Sequence, residues 1–191
     1  MKLVLASTSP FRRQLLERLG IPFNICAPEV DESPMPGESP RELVRRLAEA
    51  KARAVGPAHP ESLIIGSDQV AILGEQILGK PGAHAQAVAQ LSLASGKRIS
   101  FATGLCLFNS DSGRVQWDVI PFHVHFRPLD RERIENYLLR ERPYNCAGSF
   151  KAEGLGIALF ERMEGDDPTA LIGLPLIRLT TMLAEEGVNV V

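Results

Sequence analysis

Cysteine is scarce in this sequence, and the few cysteines present show no pairing pattern. The 191-residue chain contains three, Cys26, Cys106 and Cys146, which are odd in number, far apart and without a CxxC spacing. Such a set argues against a disulfide framework and against a zinc site. It favours reduced thiols, and we therefore expect a cytoplasmic protein.

Long apolar runs and an excess of one charge are missing as well. No apolar run is long enough to cross a bilayer, and in the first residues the arginines follow the apolar stretch, which is the reverse of a secretory signal. The 21 basic and 23 acidic residues give a net charge of −2, whereas nucleic-acid binders usually carry a clear basic excess. We therefore expect neither a membrane nor a nucleic acid as a partner.

The apolar periodicity indicates a mixed α/β sheet. Hydrophobic residues make up 45% and charged residues 23% of the chain, as in ordinary globular domains. Strands are predicted at 2–6, 62–73 with an interruption at Asp68, 98–108, 114–126 and 156–160. Helices are predicted at 10–19, 40–55, 82–94, 130–140 and 175–186. Strict βαβ alternation is absent, so we predict a mixed sheet in a single domain over residues 1–191.

The first helix begins with an electrostatic conflict. Ser9 is a good N-cap for it, but Arg12 and Arg13 follow in the first turn. Cations are unfavourable there by about 0.3–1 kcal/mol each, because this end of the helix dipole is positive. A bound anion would remove the conflict, and the preceding hydroxyls, Ser7 among them, suit phosphate oxygens. Two solvated arginines on a surface helix are an equally open alternative.

Several side chains are candidates for metal binding or acid–base chemistry. Asp68 follows the apolar run LIIGS, so its carboxylate should lie close to the interior. There it could bind a cation, act as a general base or cap a turn. Asp31 and Glu32 form an acidic pair in a proline-rich loop, where a solvated loop is the alternative. His123 and His125 share a strand face, for which a half-exposed surface is favoured over a metal site.

Two lysines extend the basic set beyond the first helix. Lys51 lies inside an apolar-rich helix, and Lys80 lies between a strand and a helix. Each of them alone is more often a solvated lysine, but together with the two arginines they suit a strongly anionic ligand such as a nucleoside triphosphate. The chain contains neither GxxxxGK[ST] nor GxGxxG, which excludes a P-loop and a dinucleotide-binding fingerprint. It also lacks the GxSxG nucleophile elbow, which argues against an α/β-hydrolase.

The segments LASTSPFRRQLL, Asp31-Glu32, AEAK, IIGSDQV, GKP and AGSFKAEGLGI, taken in this order, resemble the Maf family of nucleotide pyrophosphatases. The resemblance covers essentially the whole chain. It implies a mixed α/β domain of two lobes around a central phosphate-binding cleft, similar to inosine triphosphate pyrophosphatases. It also implies hydrolysis of a nucleoside triphosphate to a monophosphate and diphosphate with Mg²⁺ or Mn²⁺.

The same resemblance assigns roles to individual residues. Asp68 matches the proton acceptor, and Asp68 and Glu32 match acidic positions that bind the metal. The positions that match phosphate contacts are Ser7, Arg12, Arg13, Lys51 and Lys80. The sequence departs from the family at Ala50, where a glutamate usually precedes the helix lysine.

The motif variants imply a substrate branch. GSDQ and CAGSFKAEG replace the GADT and KAGAYGIQG segments typical of dTTP and UTP pyrophosphatases, and they resemble the branch that acts on 7-methyl-GTP. Phe11, Gln69 and Glu153 match the positions that choose the base. Phe11 would offer a methylated, cationic guanine a cation–π contact of about 0.5–2 kcal/mol. A dTTP/UTP pyrophosphatase and a non-catalytic nucleotide-binding regulator of cell division are the alternatives, and a homodimer is left open.

Overall fold

A computed structural model describes all 191 residues as a mixed α/β protein, which confirms the predicted fold class. The strands are β1 (Lys2–Ala6), β2 (Asn24–Cys26), β3 (Ser62–Leu73), β4 (Gln76–Leu78), β5 (Arg98–Asn109), β6 (Val115–Phe126) and β7 (Phe160–Glu164). The helices are α1 (Pro10–Glu17), α2 (Pro40–Val55), α3 (His84–Ala94), α4 (Arg131–Glu141), α5 (Pro168–Ile172) and α6 (Leu176–Glu185). None of these helices combines the length and the apolar character that a membrane span requires.

The seven strands form one mixed sheet. Its order is β2-β1-β3-β5-β6-β7, and β4 pairs with the end of β3. β1 runs parallel to both neighbours, with Val4 opposite Asn24 on one side and Ile64 on the other. β4 and β7 are antiparallel to β3 and β6, respectively. The sheet therefore joins a parallel part to an antiparallel part.

The chain divides into two compact units. The first unit contains residues 1–69, 102–120 and 167–191, and the second contains residues 70–101 and 121–166. β3, β5 and β6 each contribute residues to both units. That residues 1–191 fold as a single domain stays a prediction.

Alternating side chains of the strands form the two cores of the first unit. The core on one face of the sheet includes Leu3, Leu5, Leu63 and Ile65 and is covered by α1 and α6. The core on the opposite face includes Val4, Ala6 and Ile64 and is covered by α2. This alternation is the two-residue period expected of a strand buried on both faces.

The second unit is centred on four phenylalanines. Phe101, Phe126, Phe150 and Phe160 contact one another edge to face, with ring centroids 4.9–5.4 Å apart. This is the geometry that aromatic rings prefer, since the positive edge of one ring meets the negative face of the next.

Two glycines allow α2 to lie directly on the sheet. A Cβ atom on Gly66 would lie 2.0 Å from the carbonyl oxygen of Ala48, and one on Gly104 would lie 2.2 Å from that of Val44. Any side chain at either position would push the helix away. This close approach sets the height of α2 above β3, and with it the position of Lys51.

Two sequence predictions are wrong. β3 continues through Asp68 to Leu73 without an interruption, and its residues are buried without a break from Ser62 to Asp68. The strand predicted at 156–160 begins only at Phe160; the preceding Leu155–Leu159 is a 3₁₀ turn. There the backbone folds back, and Gly154 N and Gly156 N both donate to the carbonyl of Lys151.

Candidate active site

A turn rich in hydroxyl side chains joins β1 to α1. The Oγ of the buried Ser7 accepts a hydrogen bond from the backbone N–H of Ser9 at 3.1 Å. Ser9 in turn caps α1 by accepting from the backbone N–H of Arg12 at 3.4 Å, which confirms the predicted N-cap. The end of β1 therefore presents Ser7 next to the first turn of the helix.

The two arginines of α1 lie in different surroundings. Arg12 is half-buried and its Nε donates to the carbonyl oxygen of Gly173 at 2.8 Å. Burial lowers the pKa of Arg12, and the negative charges of Asp68 and Glu32 oppose that shift. Arg13 is exposed and its Nε pairs with Glu17 at 2.8 Å.

These contacts change the interpretation of the charge conflict at the start of α1. Both arginines find acceptors within the chain, Gly173 for Arg12 and Glu17 for Arg13. The conflict therefore does not by itself require a bound anion. Phosphate binding by these arginines stays a prediction.

The centre of the site is a lysine held between two carboxylates. Lys51 on α2 is 6% exposed and Asp68 on β3 is 8% exposed. The ammonium of Lys51 donates to Asp68 Oδ1 at 2.6 Å and pairs with Glu32 Oε1 at 2.7 Å. A buried ammonium is tolerated only when opposite charges compensate for its lost hydration, and these two carboxylates supply that compensation.

The acidic loop that carries Glu32 is tied to α2. Arg46 donates to both carboxylate oxygens of Glu38, at 2.6 and 2.8 Å, and to the carbonyl of Ser33 at 3.0 Å. The bonds from Arg46 lower the pKa of Glu38 to about 2. Hydrogen bonds from the side chain of Ser33 and from its backbone N–H, which lies 2.9 Å from Asp31 Oδ1, lower the pKa of Asp31. These contacts hold the loop next to α2.

Gln69 follows Asp68 and connects β3 to α5. Its Nε2 lies within hydrogen-bonding distance of Thr103 Oγ1 at 3.0 Å, of the Ala170 carbonyl at 2.7 Å and of the Leu171 carbonyl at 3.1 Å. The two N–H groups of an amide are therefore shared among three acceptors of the protein. These contacts hold α5 next to the end of β3, and a role of Gln69 in base choice stays a prediction.

Ser67 and Thr103 complete this network and were not predicted. Ser67 Oγ lies 2.8 Å from the Gly104 carbonyl and 2.9 Å from the Gly173 carbonyl. Thr103 Oγ1 donates to the Ala170 carbonyl at 2.9 Å. Ser67 stands inside the GSDQ motif, which is the one signal that pointed to it; nothing in the sequence around Thr103 does so.

In the second unit, Lys80 and Glu153 are both exposed. The segment that carries Glu153 is fixed to α4. Tyr137 Oη accepts from Lys151 N at 3.0 Å, and Glu141 Oε2 accepts from Leu155 N at 2.6 Å. Burial raises the pKa of Tyr137. Neither Tyr137 nor Glu141 was predicted, because a helix periodicity does not show which segment its side chains hold.

The histidines of β6 show no metal centre. His123 Nδ1 lies 2.9 Å from Ser100 Oγ, and His125 Nε2 lies 3.4 Å from Glu164, which also pairs with Arg162. Burial lowers the pKa of both histidines. No group of three or more His, Cys, Asp or Glu side chains is placed to hold a metal ion.

Asp68 and Glu32 are nevertheless a suitable donor set for a hard divalent cation that arrives with phosphates. Both place a carboxylate oxygen within 2.7 Å of the same ammonium nitrogen. Mg²⁺ is usually bound by one or two carboxylates together with substrate phosphate oxygens, so two carboxylates are enough. The pair fits such an ion.

The mixed sheet brings a buried carboxylate, an ammonium and a guanidinium to one place. This arrangement is typical of α/β proteins that act on phosphorylated ligands. Comparison with known proteins narrows this class. The family model described as "Maf-like protein" matches residues 2–186, and the chain belongs to the Maf family. The resemblance stated from the motifs is thereby confirmed.

Curated relatives match over almost the whole chain. A protein of Nitrosococcus oceani named 7-methyl-GTP pyrophosphatase is 60% identical over 97% of this chain and 93% of its own length. A protein of Pseudomonas aeruginosa with the same name is 57% identical over 98% of both chains. Among solved structures, the Ham1 protein of Staphylococcus aureus matches 66% of this chain and 72% of its own, with 14% identity and a TM-score of 0.47.

Proposed function

We propose that this protein is a nucleoside triphosphate pyrophosphatase that hydrolyses 7-methyl-GTP to 7-methyl-GMP and diphosphate. The cluster of Lys51, Asp68 and Glu32, with Arg12 beside it, is the observation that carries the reaction class. The substrate is supported by the names of the relatives at 57–60% identity. Removal of a modified nucleotide from the pool is the corresponding biological role.

In the proposed reaction, a water molecule attacks the α-phosphorus. A bond forms between the water oxygen and phosphorus, and the bond from phosphorus to the bridging oxygen breaks, which releases diphosphate. Asp68 accepts the proton of the water. Lys51 already binds its Oδ1, so we assign the proton to Oδ2. In the free protein, the contact with Lys51 orients the carboxylate.

The basic residues stabilise the charge that develops on the phosphates. We assign this role to the residues that the resemblance indicates: Ser7, Arg12, Arg13, Lys51 and Lys80. Arg12 is already positioned for this role, because the Gly173 carbonyl fixes its guanidinium near Asp68 and Glu32. Arg13 must first exchange its contact with Glu17, and the side chain of Lys80 is exposed.

Asp68 and Glu32 are the residues that would hold a divalent cation. When bound, Mg²⁺ or Mn²⁺ polarises phosphoryl oxygens and neutralises part of the triphosphate charge. Ala50 supplies no carboxylate, and the neighbouring Glu49 pairs with Arg53 at 2.7 Å. The carboxylate of Glu32 is thus the second ligand that this chain offers.

Base choice is assigned to Phe11 and Glu153, with Gln69 in support. 7-Methylguanine is cationic at neutral pH and is attracted to an aromatic face. A carboxylate accepts hydrogen bonds from the N1–H and the amino group of guanine and also balances the positive charge. Gln69 acts through the segment of α5 that its amide holds.

Steady-state kcat/KM for 7-methyl-GTP, GTP, UTP, dTTP and CTP tests the proposal, with diphosphate release as the readout. We expect 7-methyl-GTP to have the highest value. A preference for UTP or dTTP would show that the substrate assignment is wrong, while the assignment as a pyrophosphatase would still hold. Nucleotide binding without turnover of any member of the panel would favour the regulatory alternative.

A further inference from the structure

The two carboxylates assigned to the metal are the ones that Lys51 already binds. Its ammonium lies 2.6 Å from Asp68 Oδ1 and 2.7 Å from Glu32 Oε1, and it is almost completely buried. A lysine ammonium has three N–H donors and no acceptor, so at least two of the three are directed at these oxygens. In the free protein, Lys51 thus occupies the place between the carboxylates.

A divalent cation and this ammonium compete for the same oxygens. Mg²⁺ binds oxygen at about 2.0–2.1 Å, which would bring it into close contact with an ammonium that hydrogen-bonds to the same atoms. Both groups are positive, and the half-buried guanidinium of Arg12 adds a third positive group beside them. At such distances in a partly buried site the repulsion is strong.

We propose that Lys51 is a displaceable internal cation that holds Asp68 and Glu32 ready in the absence of a metal. When a divalent cation binds to these carboxylates, the ammonium of Lys51 leaves them. A phosphate group of the ligand is then its natural partner, and this last step alone rests on the proposed function. The flexible four-carbon stem of lysine permits the change without movement of α2.

This exchange has a consequence for metal binding in the absence of a nucleotide. A metal that arrives alone must expel Lys51 from a buried ion pair while no new anion is present to receive it. The wild-type protein should therefore bind a divalent cation weakly. Removal of the lysine charge should strengthen binding, because the ammonium no longer competes with the metal for the two carboxylates.

Mn²⁺ binding to the full chain, followed by electron paramagnetic resonance without nucleotide, tests the exchange. We expect Lys51→Met to bind Mn²⁺ at least about tenfold more tightly than wild type. Arg53→Met is the matched control: it removes a positive charge from the same helix, where Arg53 pairs with Glu49, and should leave the affinity unchanged. Equal affinities of wild type and Lys51→Met, or no binding by either protein, would overturn the proposal.

A second measurement uses the wild-type protein and does not depend on the folding of a variant. The lysines of the chain are Lys2, Lys51, Lys80, Lys97 and Lys151. In ¹H–¹⁵N spectra of the lysine ammonium groups, saturating Mg²⁺ without nucleotide should shift or broaden the Lys51 signal and leave the others in place. An unchanged Lys51 signal at saturation overturns the proposal. Both experiments omit the nucleotide, so their results stand apart from those of the substrate panel.

Discussion

Asp68 and Glu32 contact one ammonium from very different surroundings. The side chain of Asp68 is 12% exposed inside β3, whereas that of Glu32 is 60% exposed on its loop. A buried carboxylate that loses its partner pays a large desolvation penalty, while an exposed one is rehydrated. Asp68 is therefore the fixed member of the pair, and the loss of the contact with Lys51 costs Glu32 less than it costs Asp68.

The substitution Asp68→Asn tests the role of this fixed carboxylate. Asparagine keeps the shape of the side chain and a contact with Lys51 but removes the proton acceptor. We expect kcat for 7-methyl-GTP to fall by at least about 10²-fold, the usual contribution of a general base. Circular dichroism should show an intact fold, and the exposed Asp111→Asn should retain wild-type kcat. Near-normal kcat in Asp68→Asn would remove Asp68 from this role.

The sequence predicted the burial of Asp68 but not its partner. The apolar run before it required a strand with both faces covered, which places the carboxylate inside. The contact with Lys51 depends on how closely α2 approaches β3, which is decided by Gly66 and Gly104. A helix periodicity tells which face is buried and carries no information about the distance between a helix and a sheet.

At the level of elements, α1 carries two arginines that should respond differently to removal. Arg12→Ala loses the bond to Gly173 and leaves Asp68 and Glu32 with less positive charge nearby, so we expect a loss of about 1–2 kcal/mol in the unfolding free energy of the apo protein. Arg13→Ala loses only an exposed pair with Glu17, worth about 0.3–0.5 kcal/mol. Urea denaturation of both variants provides the comparison. Equal stability of the two variants would contradict a stabilising contribution of the contacts of Arg12.

The close packing of α2 on the sheet can be tested at Gly66. Gly66→Ala places a methyl group 2.0 Å from the backbone oxygen of Ala48, so α2 must shift, at a cost of about 1–3 kcal/mol. The shift should also displace Lys51, to which we assign a contact with the phosphates, and lower kcat. Gly79→Ala is the control, since no atom lies within 4 Å of the added methyl group. Wild-type stability and kcat in Gly66→Ala would show that α2 does not depend on this close approach.

The secondary-structure predictions are correct for elements whose ends are marked by capping side chains. They miss elements that have no such signal. Ser39 and Glu42 form the predicted capping box, and α2 begins at Pro40 as expected. β2 and β4 have three residues each and α5 has five, which is too short for a period of 2 or 3.6 to emerge. These short elements are held by tertiary contacts, such as those of Gln69 with α5.

For the whole molecule, we expect the two units to unfold together. β3, β5 and β6 supply residues to both, so neither unit can lose these strands alone. The only tryptophan, Trp117, lies in the first unit, and both tyrosines, Tyr137 and Tyr144, lie in the second. Trp fluorescence and the near-ultraviolet signal of tyrosine should therefore give coincident denaturation curves. Two separate transitions would show two independent domains and contradict the single-domain prediction.

Base discrimination depends on Phe11 and Glu153, which are far apart in the sequence. We expect wild type to prefer 7-methyl-GTP over GTP by about 5- to 150-fold in kcat/KM, or about 1–3 kcal/mol, which one stacking contact and one charged pair can supply. Phe11→Ala should lose more activity on 7-methyl-GTP than on GTP, since only the methylated base is cationic. Glu153→Gln should narrow the same ratio, because a neutral amide no longer balances that charge.

The kcat/KM ratio of the two nucleotides in wild type and in each variant is the measurement. Phe11→Leu is a control for volume, since it keeps an apolar side chain but lacks the aromatic face; it should lose as much of the preference as Phe11→Ala. The exposed Glu161→Gln removes a charge elsewhere in the second unit and should keep the wild-type ratio. An unchanged ratio in both Phe11→Ala and Glu153→Gln would refute this account of base choice, even if 7-methyl-GTP proved to be the best substrate, because the discrimination would then have to come from other side chains.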